Sequence, residues 1–284
     1  MKRVKTLMTG LAFGESPRWH EGRIWFSNWV GQEIVAVDER GNSEIVARVP
    51  FDSFPFSIDW LPDGRLVMCS ISDRPLLVRE HSGAWSTYAD TSHLNKAGWN
   101  EIVVDGRGNT YINGAGLDAP AGDLSAPGII AMVTPQGVAT QVADDIHFPN
   151  GMAITPDNST LVIAESFARR LSAFDIDADG SLSNRRVWAE LGDGAPDGIC
   201  FDAEGAIWYA DVPNKRCVRV REGGEVLQTV DVDRGCFACM LGGADGATLF
   251  ITAAIWRGFE HMTDGSRDGV LLSARVSVPH AGRP

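Results

Sequence analysis

The amino-acid sequence predicts an all-β protein, a six-bladed β-propeller with four strands in each blade. A short unit of apolar strand, tight turn and second apolar strand recurs six times along the 284 residues. The interval between copies, roughly 40–50 residues, is typical of propeller blades. No long stretch shows the 3.6-residue periodicity of an amphipathic helix, which argues against a helical solenoid.

The six copies align on the residue that turns the chain between the two strands. In PDGICFDAEGAIWYAD, at 196–211, an Asp-Ala-Glu-Gly turn joins two runs rich in apolar and aromatic residues. Tight turns favour glycine, asparagine and aspartate, and the flanking runs are typical of strands. The aligned turn residues are Gly22, Gly64, Gly108, Asn158, Gly205 and Gly246, with gaps of 42, 44, 50, 47 and 41 residues.

The chain is predicted to be one propeller domain over residues 1–284, since no linker divides it. A strand over residues 2–8 is expected to join the last blade, because closing the ring removes its exposed edges. The least strand-like segment, 113–128, is predicted to form a long loop after the second strand of blade 3. The six blades are predicted near residues 16–49, 54–90, 98 onwards, 147–190, 195–232 and 236–278.

Net charge, apolar runs and cysteine count indicate which partners and which cellular compartment to expect. The net charge of −12 and the pI near 4.9 argue against nucleic-acid binding, which requires a basic surface. No apolar run approaches the roughly 18 residues of a membrane span, and the first residues carry only a broken apolar run. Five cysteines, an odd number, favour a reduced protein. We therefore expect a cytoplasmic protein whose partner is a small molecule rather than a membrane.

Four blades carry an oxygen-bearing side chain where the chain enters the innermost strand, at nearly the same distance from the turn. These residues are Glu15, Asn100, Asn150 and Asp197. Equivalent positions form a ring around the mouth of the central channel, where two carboxylates would repel unless a cation lay among them. All-oxygen ligation favours Ca²⁺, with Mg²⁺, Mn²⁺ or Zn²⁺ as alternatives. The competing interpretation is that these residues only cap turns.

Several segments, in order and at blade spacing, make the chain resemble the SMP-30/gluconolactonase/regucalcin-like family of six-bladed propellers. They are GESPRW at 14–19, NEIVVDGRGNTY at 100–111, FPNGMAITPD at 148–157, PDGICFDAEGAIWYAD at 196–211 and CMLGGADGATLFITAA at 239–254. The resemblance covers nearly the whole chain. It implies that Glu15, Asn150 and Asp197 hold a metal ion. It also implies that Asn100 lies at the metal and substrate and that Asp197 is the catalytic base.

The activity that this resemblance implies is metal-dependent hydrolysis of a lactone, a cyclic ester. The cation would polarise the carbonyl while Asp197 takes a proton from the attacking water. Two alternatives stay open: hydrolysis of organophosphate triesters by the same ring of residues, and calcium binding without catalysis. Turnover that is lost on chelation and regained with metal would indicate an enzyme.

One departure from the family concerns the substrate. Sugar-lactone members usually carry an arginine two residues before the asparagine that aligns with Asn100, and here that residue is Gly98. We therefore expect a substrate less polar than a sugar lactone, in a mouth lined by aromatic side chains. The alternative is that these aromatic side chains pack between blades. The aromatic residues expected at the mouth are Trp29, Phe54, Phe56, Trp99, Phe148 and Trp256, and the predicted substrate contacts are Asn100, Trp99, Glu101, Phe148 and His147.

Two further sets of residues have predicted roles outside the metal ring. Cys236 and Cys239 have the spacing of a redox or zinc motif, but no second pair exists. Residues three apart on a strand face opposite sides, so no function is expected for them. The second strands end on polar residues that are expected to support the site from behind. Those residues are Asn28, Asn113, Glu165 and Asp211.

Overall fold

The structure, a computed structural model, describes residues 4–49, 54–71, 75–96, 98–115 and 126–282. Within these residues the chain forms six antiparallel sheets of four strands, so the predicted propeller is confirmed. Blade 1 contains β2 (Gly14–His20), β3 (Arg23–Asn28), β4 (Glu33–Val37) and β5 (Ser43–Arg48). Blade 2 contains β6 (Phe56–Trp60), β7 (Leu66–Ser70), β8 (Leu76–Arg79) and β9 (Trp85–Ala89). Blade 3 contains β10 (Glu101–Val104), β11 (Thr110–Ala115), β12 (Gly128–Val133) and β13 (Ala139–Ile146).

The second half of the ring follows the same order. Blade 4 contains β14 (Pro149–Ile154), β15 (Thr160–Glu165), β16 (Arg170–Ile176) and β17 (Leu182–Glu190). Blade 5 contains β18 (Pro196–Phe201), β19 (Ile207–Asp211), β20 (Arg216–Val220) and β21 (Val226–Asp231). Blade 6 contains β22 (Gly235–Gly242), β23 (Thr248–Ala254) and β24 (Gly269–Arg275), with a 3₁₀ turn at Phe259–His261 between the last two strands.

The N-terminal strand β1 (Lys5–Leu11) closes the ring as predicted, with slightly later bounds than expected. It pairs antiparallel with β24, from Lys5 opposite Ser273 to Leu11 opposite Gly269. Residues 1–3 lie outside the described part of the chain, as do residues 116–125 of the predicted long loop. The segment lies between the second and third strands of blade 3, as expected, but its bounds are narrower than predicted: residues 113–115 belong to β11 and Gly128 begins β12.

The turn that defines the sequence repeat has one conformation in all six blades. Each aligned turn residue has a positive φ, from 60° at Asn158 to 89° at Gly108. Glycine and asparagine tolerate this left-handed region, whereas most other residues are strained there. The turn chemistry read from the sequence therefore reports a real structural repeat.

The core consists of apolar side chains packed between neighbouring blades rather than one central cluster. One cluster joins blades 2 and 3, another joins blades 3 and 4, and another joins blades 4 and 5. This arrangement leaves the axis of the ring to the innermost strands. No helix of the described residues is long and apolar enough to cross a membrane.

Candidate active site

The innermost strands of the blades begin on one face of the ring, and the second strands end on that same face. We call this face the mouth. The residues paired there in the three blades that carry predicted metal ligands are Gly14 with Asn28, Pro149 with Glu165, and Pro196 with Asp211.

A β-bulge interrupts the innermost strand beside each predicted metal ligand. The innermost strands of blades 2 and 3 pair with their neighbours without any such shift. A bulge bends a strand and re-aims its side chains. The regular alternation of side chains between the two faces of the strand is thus broken beside all three predicted ligands: Glu15, Asn150 and Asp197. The register shifts lie between Glu15 and Arg18, between Pro149 and Met152, and between Pro196 and Ile199.

The glycines that follow Asn150 and Asp197 allow three innermost strands to approach closely. A Cβ on Gly151 would lie only 2.6 Å from the Asp197 carbonyl oxygen. A Cβ on Gly198 would overlap the Ala238 side chain of blade 6. The Asn-Gly and Asp-Gly pairs in the sequence motifs therefore have a packing reason, because any larger residue would push the blades apart around the channel.

Buried polar residues at the ends of the second strands fix the loops that lead into the predicted ligands. Asn28 Oδ1 accepts hydrogen bonds from the backbone N–H groups of residues 12 and 13, at 3.0 and 3.1 Å. Glu165 Oε2 accepts one from the His147 N–H at 2.9 Å, and Asp211 Oδ1 one from the Ala195 N–H at 3.2 Å. Each anchor therefore holds the backbone two or three residues before Glu15, Asn150 or Asp197.

The fourth residue of this group, Asn113, acts on the neighbouring blade. Its Nδ2 donates to the Asn150 carbonyl oxygen at 2.7 Å, and Asn113 is fully buried. Ser166, which follows the anchor of blade 4, joins blades 4 and 5: its hydroxyl donates to the Pro196 carbonyl at 2.6 Å. The same hydroxyl accepts from Asn150 Nδ2 at 3.4 Å. The segments that carry Asn150 and Asp197 are thus tied to each other.

The two predicted carboxylate ligands are electrostatically strained in the absence of a cation. Burial raises the pKa of Glu15 well above its ordinary value, and the charges of Asp197 and Glu101 raise it further. Burial and the charge of Glu101 likewise raise the pKa of Asp197. Hydrogen bonding from the Asn150 amide partly opposes that rise. Glu15, Glu101 and Asp197 therefore act on one another through a single poorly hydrated region.

A buried arginine that the sequence analysis missed lies among these carboxylates. Arg18 Nη2 lies 3.3 Å from Glu101 Oε2, and Arg18 Nε lies 3.8 Å from Asp59 Oδ1. The three side chains are only 5–8% exposed. The sequence does carry a signal for this ion pair: the motif Ser-Pro-Arg-Trp places an arginine inside an apolar innermost strand. Because an unpaired buried charge is costly, such an arginine predicts acidic partners nearby.

The predicted substrate contacts lie at different depths. Asn100 is partly exposed, and its amide donates to a backbone carbonyl of blade 4 at 3.2 Å. His147 is exposed beside the mouth. Glu101 lies in the ion pair with Arg18. Trp99 is fully buried, with its Nε1 donating to Thr91 Oγ1 at 2.8 Å, so its ring offers no open surface to a ligand.

Gly98, where sugar-lactone members carry an arginine, lies directly against blade 2. Its φ is +86°, and a Cβ there would overlap the backbone of Ile71. No side chain fits at this position unless the backbone moves. The difference from the sugar-lactone members therefore concerns the backbone conformation at residue 98 as well as the missing guanidinium group.

Aromatic side chains form a continuous line of ring contacts around much of the mouth, which we call the aromatic arc. Successive ring centroids lie 4.3–5.9 Å apart. Four of the six aromatic residues expected at the mouth belong to it, whereas Phe56 and Trp99 are fully buried in the core. The arc runs, in order, through Phe54, Trp29, Phe13, Phe237, Trp256, Phe259, Phe148 and Phe167.

The expectation that Cys236 and Cys239 face opposite sides of their strand is wrong. Both thiols interact with Cys217, and all three side chains belong to the same core cluster. The physical reason is a register shift between Cys236 and Ala238, which breaks the alternation of the strand. All five cysteines are free and buried.

The residues at the mouth fit a hard divalent cation. Glu15 and Asp197 supply carboxylate oxygens and Asn150 supplies an amide oxygen, the donors that Ca²⁺ prefers. A cation among them would offset the repulsion that raises the two pKa values. Within the described ranges, no three acidic, cysteine or histidine side chains form a metal cluster by themselves. The amide of Asn150, or further oxygen donors, would thus have to complete the coordination.

Comparisons with known proteins agree with this architecture. The family described as SMP-30/Gluconolactonase/LRE-like region matches residues 13–255. A 6-deoxy-6-sulfogluconolactonase from Pseudomonas putida is 30% identical over 151 residues, 51% of this chain and 52% of the relative, so the match spans about half of that protein. Regucalcin from Bos taurus is 27% identical over 278 residues, covering 95% of this chain and 88% of the relative.

Among solved structures, a calcium-binding protein, regucalcin, from Agrobacterium tumefaciens has the same fold. The TM-score is 0.80 at 22% identity, over 100% of this chain and 97% of that chain. The family match extends from the loop before Glu15 to the end of the second strand of blade 6 and includes every predicted metal ligand. The resemblance read from the sequence motifs is thus confirmed, and the chain belongs to the SMP-30/gluconolactonase/LRE-like family.

Proposed function

We propose that the protein is a lactonase that depends on a divalent cation held by Glu15, Asn150 and Asp197. The observation that carries this proposal is the convergence of two strained carboxylates and an amide at three bulged strands around one channel. The P. putida relative is named a 6-deoxy-6-sulfogluconolactonase, which supports a lactone as the substrate class. The regucalcin relatives, one described as calcium-binding, support Ca²⁺ as the ion.

In the proposed mechanism Asp197 is the general base. The residue is partly exposed at the mouth, and the proposal requires that one water molecule enters there to reach the carboxylate. The Ala195 N–H bond to Asp211 and the close contact with Gly151 hold its backbone in place. A bound divalent cation would polarise the lactone carbonyl and favour the ionised form of Asp197. Asp197 would then take a proton from the water that attacks the carbonyl carbon, and would return it to the ring oxygen as the ring C–O bond breaks, giving the hydroxy acid.

Other side chains would position the substrate and balance charge. Asn100, whose residue is partly exposed, can donate to a substrate oxygen while its backbone carbonyl accepts from Ser57 Oγ at 2.7 Å. Burial raises the pKa of Glu15, and the positive charge of Arg18 partly opposes that rise, so Arg18 supports the ionised form of that ligand. We assign Arg18 no contact with substrate, because its side chain is 5% exposed.

The substrate is proposed to be less polar than a hexonolactone. Gly98 leaves no room for the arginine that reaches substrate oxygens in sugar-lactone members. The exposed rings of the aromatic arc, Phe259 and Phe167, supply apolar surface in its place. Competition between gluconolactone and an alkyl or aryl lactone tests this point, and a preference for gluconolactone would contradict it.

The function is tested by a screen of lactone substrates on protein from which bound metal has been removed. Sugar, aliphatic and aromatic lactones would each be assayed after chelation and after adding back Ca²⁺, Mg²⁺, Mn²⁺ or Zn²⁺. We expect no turnover without metal and recovery with one ion, Ca²⁺ first. Cation binding without turnover of any lactone would contradict the proposed activity, as would turnover of phosphotriesters alone.

A further inference from the structure

The segment between β23 and β24, residues 255–268, begins at the mouth and reaches across to another blade. The ring of Phe259, in its 3₁₀ turn, lies 5.9 Å from the ring of Phe148, which leads into the innermost strand of blade 4. Blade 5 stands between blades 4 and 6, since its innermost strand β18 contacts β14 on one side and β22 on the other. The segment therefore extends over the side of the mouth where Asp197 begins the innermost strand of blade 5.

Two parts of the aromatic arc differ in exposure. Phe13, Trp29 and Phe237 are only 5–7% exposed, as core residues are. Phe259 is 46% exposed and Phe167 is 52% exposed, although each makes a ring contact with Phe148. Large aromatic faces that are stacked in place and still open to solvent indicate a ligand-binding surface rather than a packed core.

This exposed end is continuous with the candidate catalytic residues. Phe148 precedes Asn150 by two residues, and Phe167 directly follows Ser166. The Ser166 hydroxyl contacts the Asn150 amide at 3.4 Å and the Pro196 carbonyl at 2.6 Å. A molecule whose reacting group lies at Asp197 would thus have its remaining part next to these rings.

Contacts within the segment join its two ends and pack its central tryptophan. Arg257 Nη1 lies 2.6 Å from Asp268 Oδ2, and the Ile255 N–H donates to Asp268 Oδ1 at 3.1 Å, which joins its two ends. Trp256 packs between Phe237 and Phe259, at 5.7 and 5.0 Å. A preorganised surface loses little conformational entropy when it binds a ligand.

We propose that Trp256, Phe259, Phe148 and Phe167 bind the non-reacting substituent of the substrate and select lactones that carry an aryl group. The inference rests on the proposed lactonase function and names the substrate class of the same site. An aryl ring can stack on the open faces of Phe167 and Phe259, where a polyhydroxylated chain would lose its hydration without partners. These four residues are specificity-determining, and the chemistry stays with Asp197.

Kinetics of single variants test the proposal. The cation-loaded wild type, Phe259→Ala and Phe167→Ala would be compared on an aryl-substituted lactone and on its unsubstituted parent ring. We expect each substitution to lower kcat/KM for the aryl lactone about tenfold more than for the parent, because the stacked face is lost. Phe259→Tyr keeps the ring and should retain most of the wild-type preference. Val226→Ala, an exposed residue on the last strand of blade 5, is the matched control and should leave the preference unchanged.

Two outcomes would overturn the inference. Equal losses on both lactones would mean that the segment only shapes the catalytic residues, and unchanged kinetics on both would mean that the rings do not bind substrate. A binding measurement separates this inference from the proposed function. Calorimetry with an aryl lactam, the amide analogue of the lactone, needs no turnover. Binding to wild type that weakens in Phe259→Ala would support the aromatic surface even if no lactone were hydrolysed, and absence of binding to wild type would refute it.

Discussion

Blades 1, 4 and 5 differ from blade 2 at the mouth, although all are built on the same four-stranded plan. In the first group the innermost strand is bulged and the second strand ends on a buried polar anchor: Asn28, Glu165 or Asp211. Blade 2 pairs regularly from Phe56 opposite Ser70 to Trp60 opposite Leu66, and Phe56 packs in the core. The repeat therefore supplies the scaffold, and local irregularities supply the site.

Blade 6 shows that a bulge alone is not enough. Its innermost strand is bulged between Cys236 and Ala238, yet it carries no oxygen ligand there. Ala238 instead lies against Gly198 and allows blade 5 to approach the axis. A blade thus supplies a predicted metal ligand where a bulge, a buried anchor and a polar side chain occur together.

The largest expected effect comes from the ligand that blade 5 presents. Asp197→Asn keeps the size and one oxygen but removes charge and basicity. If Asp197 is the base, turnover should fall by a factor of about 10²–10⁴ even when calorimetry shows a saturated cation site. Recovery of most activity at saturating Ca²⁺ would instead assign Asp197 a ligand role alone, with Glu101 or His147 the next candidates for the base.

The second prediction concerns how the free energy of unfolding depends on pH and on the bound cation, through the carboxylates of the bulged blades. The pKa values of Glu15 and Asp197 are raised in the cation-free protein, so the folded state keeps these protons to higher pH than the unfolded chain. Their contribution to the free energy of unfolding therefore falls as pH rises from about 4 through the raised folded values. Ca²⁺ at about 100 times its Kd should restore about 2.7 kcal/mol at neutral pH.

Urea denaturation from pH 5 to pH 8, with chelator and with Ca²⁺, measures this effect. The Glu15→Gln variant isolates the contribution of this carboxylate, because the stability of the cation-free variant should depend less on pH than that of the wild type. A cation-free wild type that gains stability through these groups as pH rises would show that the carboxylates are not strained as described.

The third prediction tests the anchors. Asp211→Asn weakens the bond to Arg216, whose Nε lies 2.9 Å from Asp211 Oδ2, and loosens the loop before Asp197. Cation affinity should fall about 10–100-fold, the usual cost of losing a residue that orients metal ligands. Asp202 gives the matched control: it is also buried in blade 5 and pairs with an arginine, Arg219, but it lies at the far turn.

Both substitutions should lower the urea midpoint, because each weakens the ion pair of a buried aspartate. Only Asp211→Asn should change the cation Kd measured by calorimetry. Equal loss of cation affinity in Asp202→Asn would mean that general stability, and not the anchor at the mouth, controls the site.

The sequence allowed the fold to be predicted because turn chemistry repeats. Gly22, Asn158 and the other turn residues share one backbone conformation, so the repeat interval could be counted directly. The same counting located Glu15, Asn150 and Asp197 at the start of their strands. Whether these three residues bind a metal is still a prediction.

What the sequence could not give depends on contacts between distant segments. Trp99 is buried because it packs in the cluster between blades 2 and 3, where Thr91 accepts its Nε1–H. Cys236 and Cys239 share one face because of a bulge, which the residue types of the strand do not indicate. The pairing of Arg18 with Glu101 joins blades 1 and 3 across 83 residues. Phe259 was missed as part of the mouth because the segment that carries it crosses from blade 6 to blade 4.

The smallest expected effect lies at the end of blade 5 farthest from Asp197. Gly205 has a φ of +74° with open space around its Cα, and the equivalent residue of blade 4 is Asn158, at +60°. Gly205→Asn should therefore change the free energy of unfolding by less than about 1 kcal/mol, whereas Gly205→Val, β-branched in a left-handed conformation, should cost about 1–2 kcal/mol. Neither substitution should alter the cation Kd, since the turns at this end of the blades share one backbone conformation and lie away from the mouth.

A loss of cation affinity in Gly205→Asn comparable to that of Asp211→Asn would contradict this prediction. It would mean that the hairpin of blade 5 transmits strain along its whole length, and the distinction between scaffold and site would fail there.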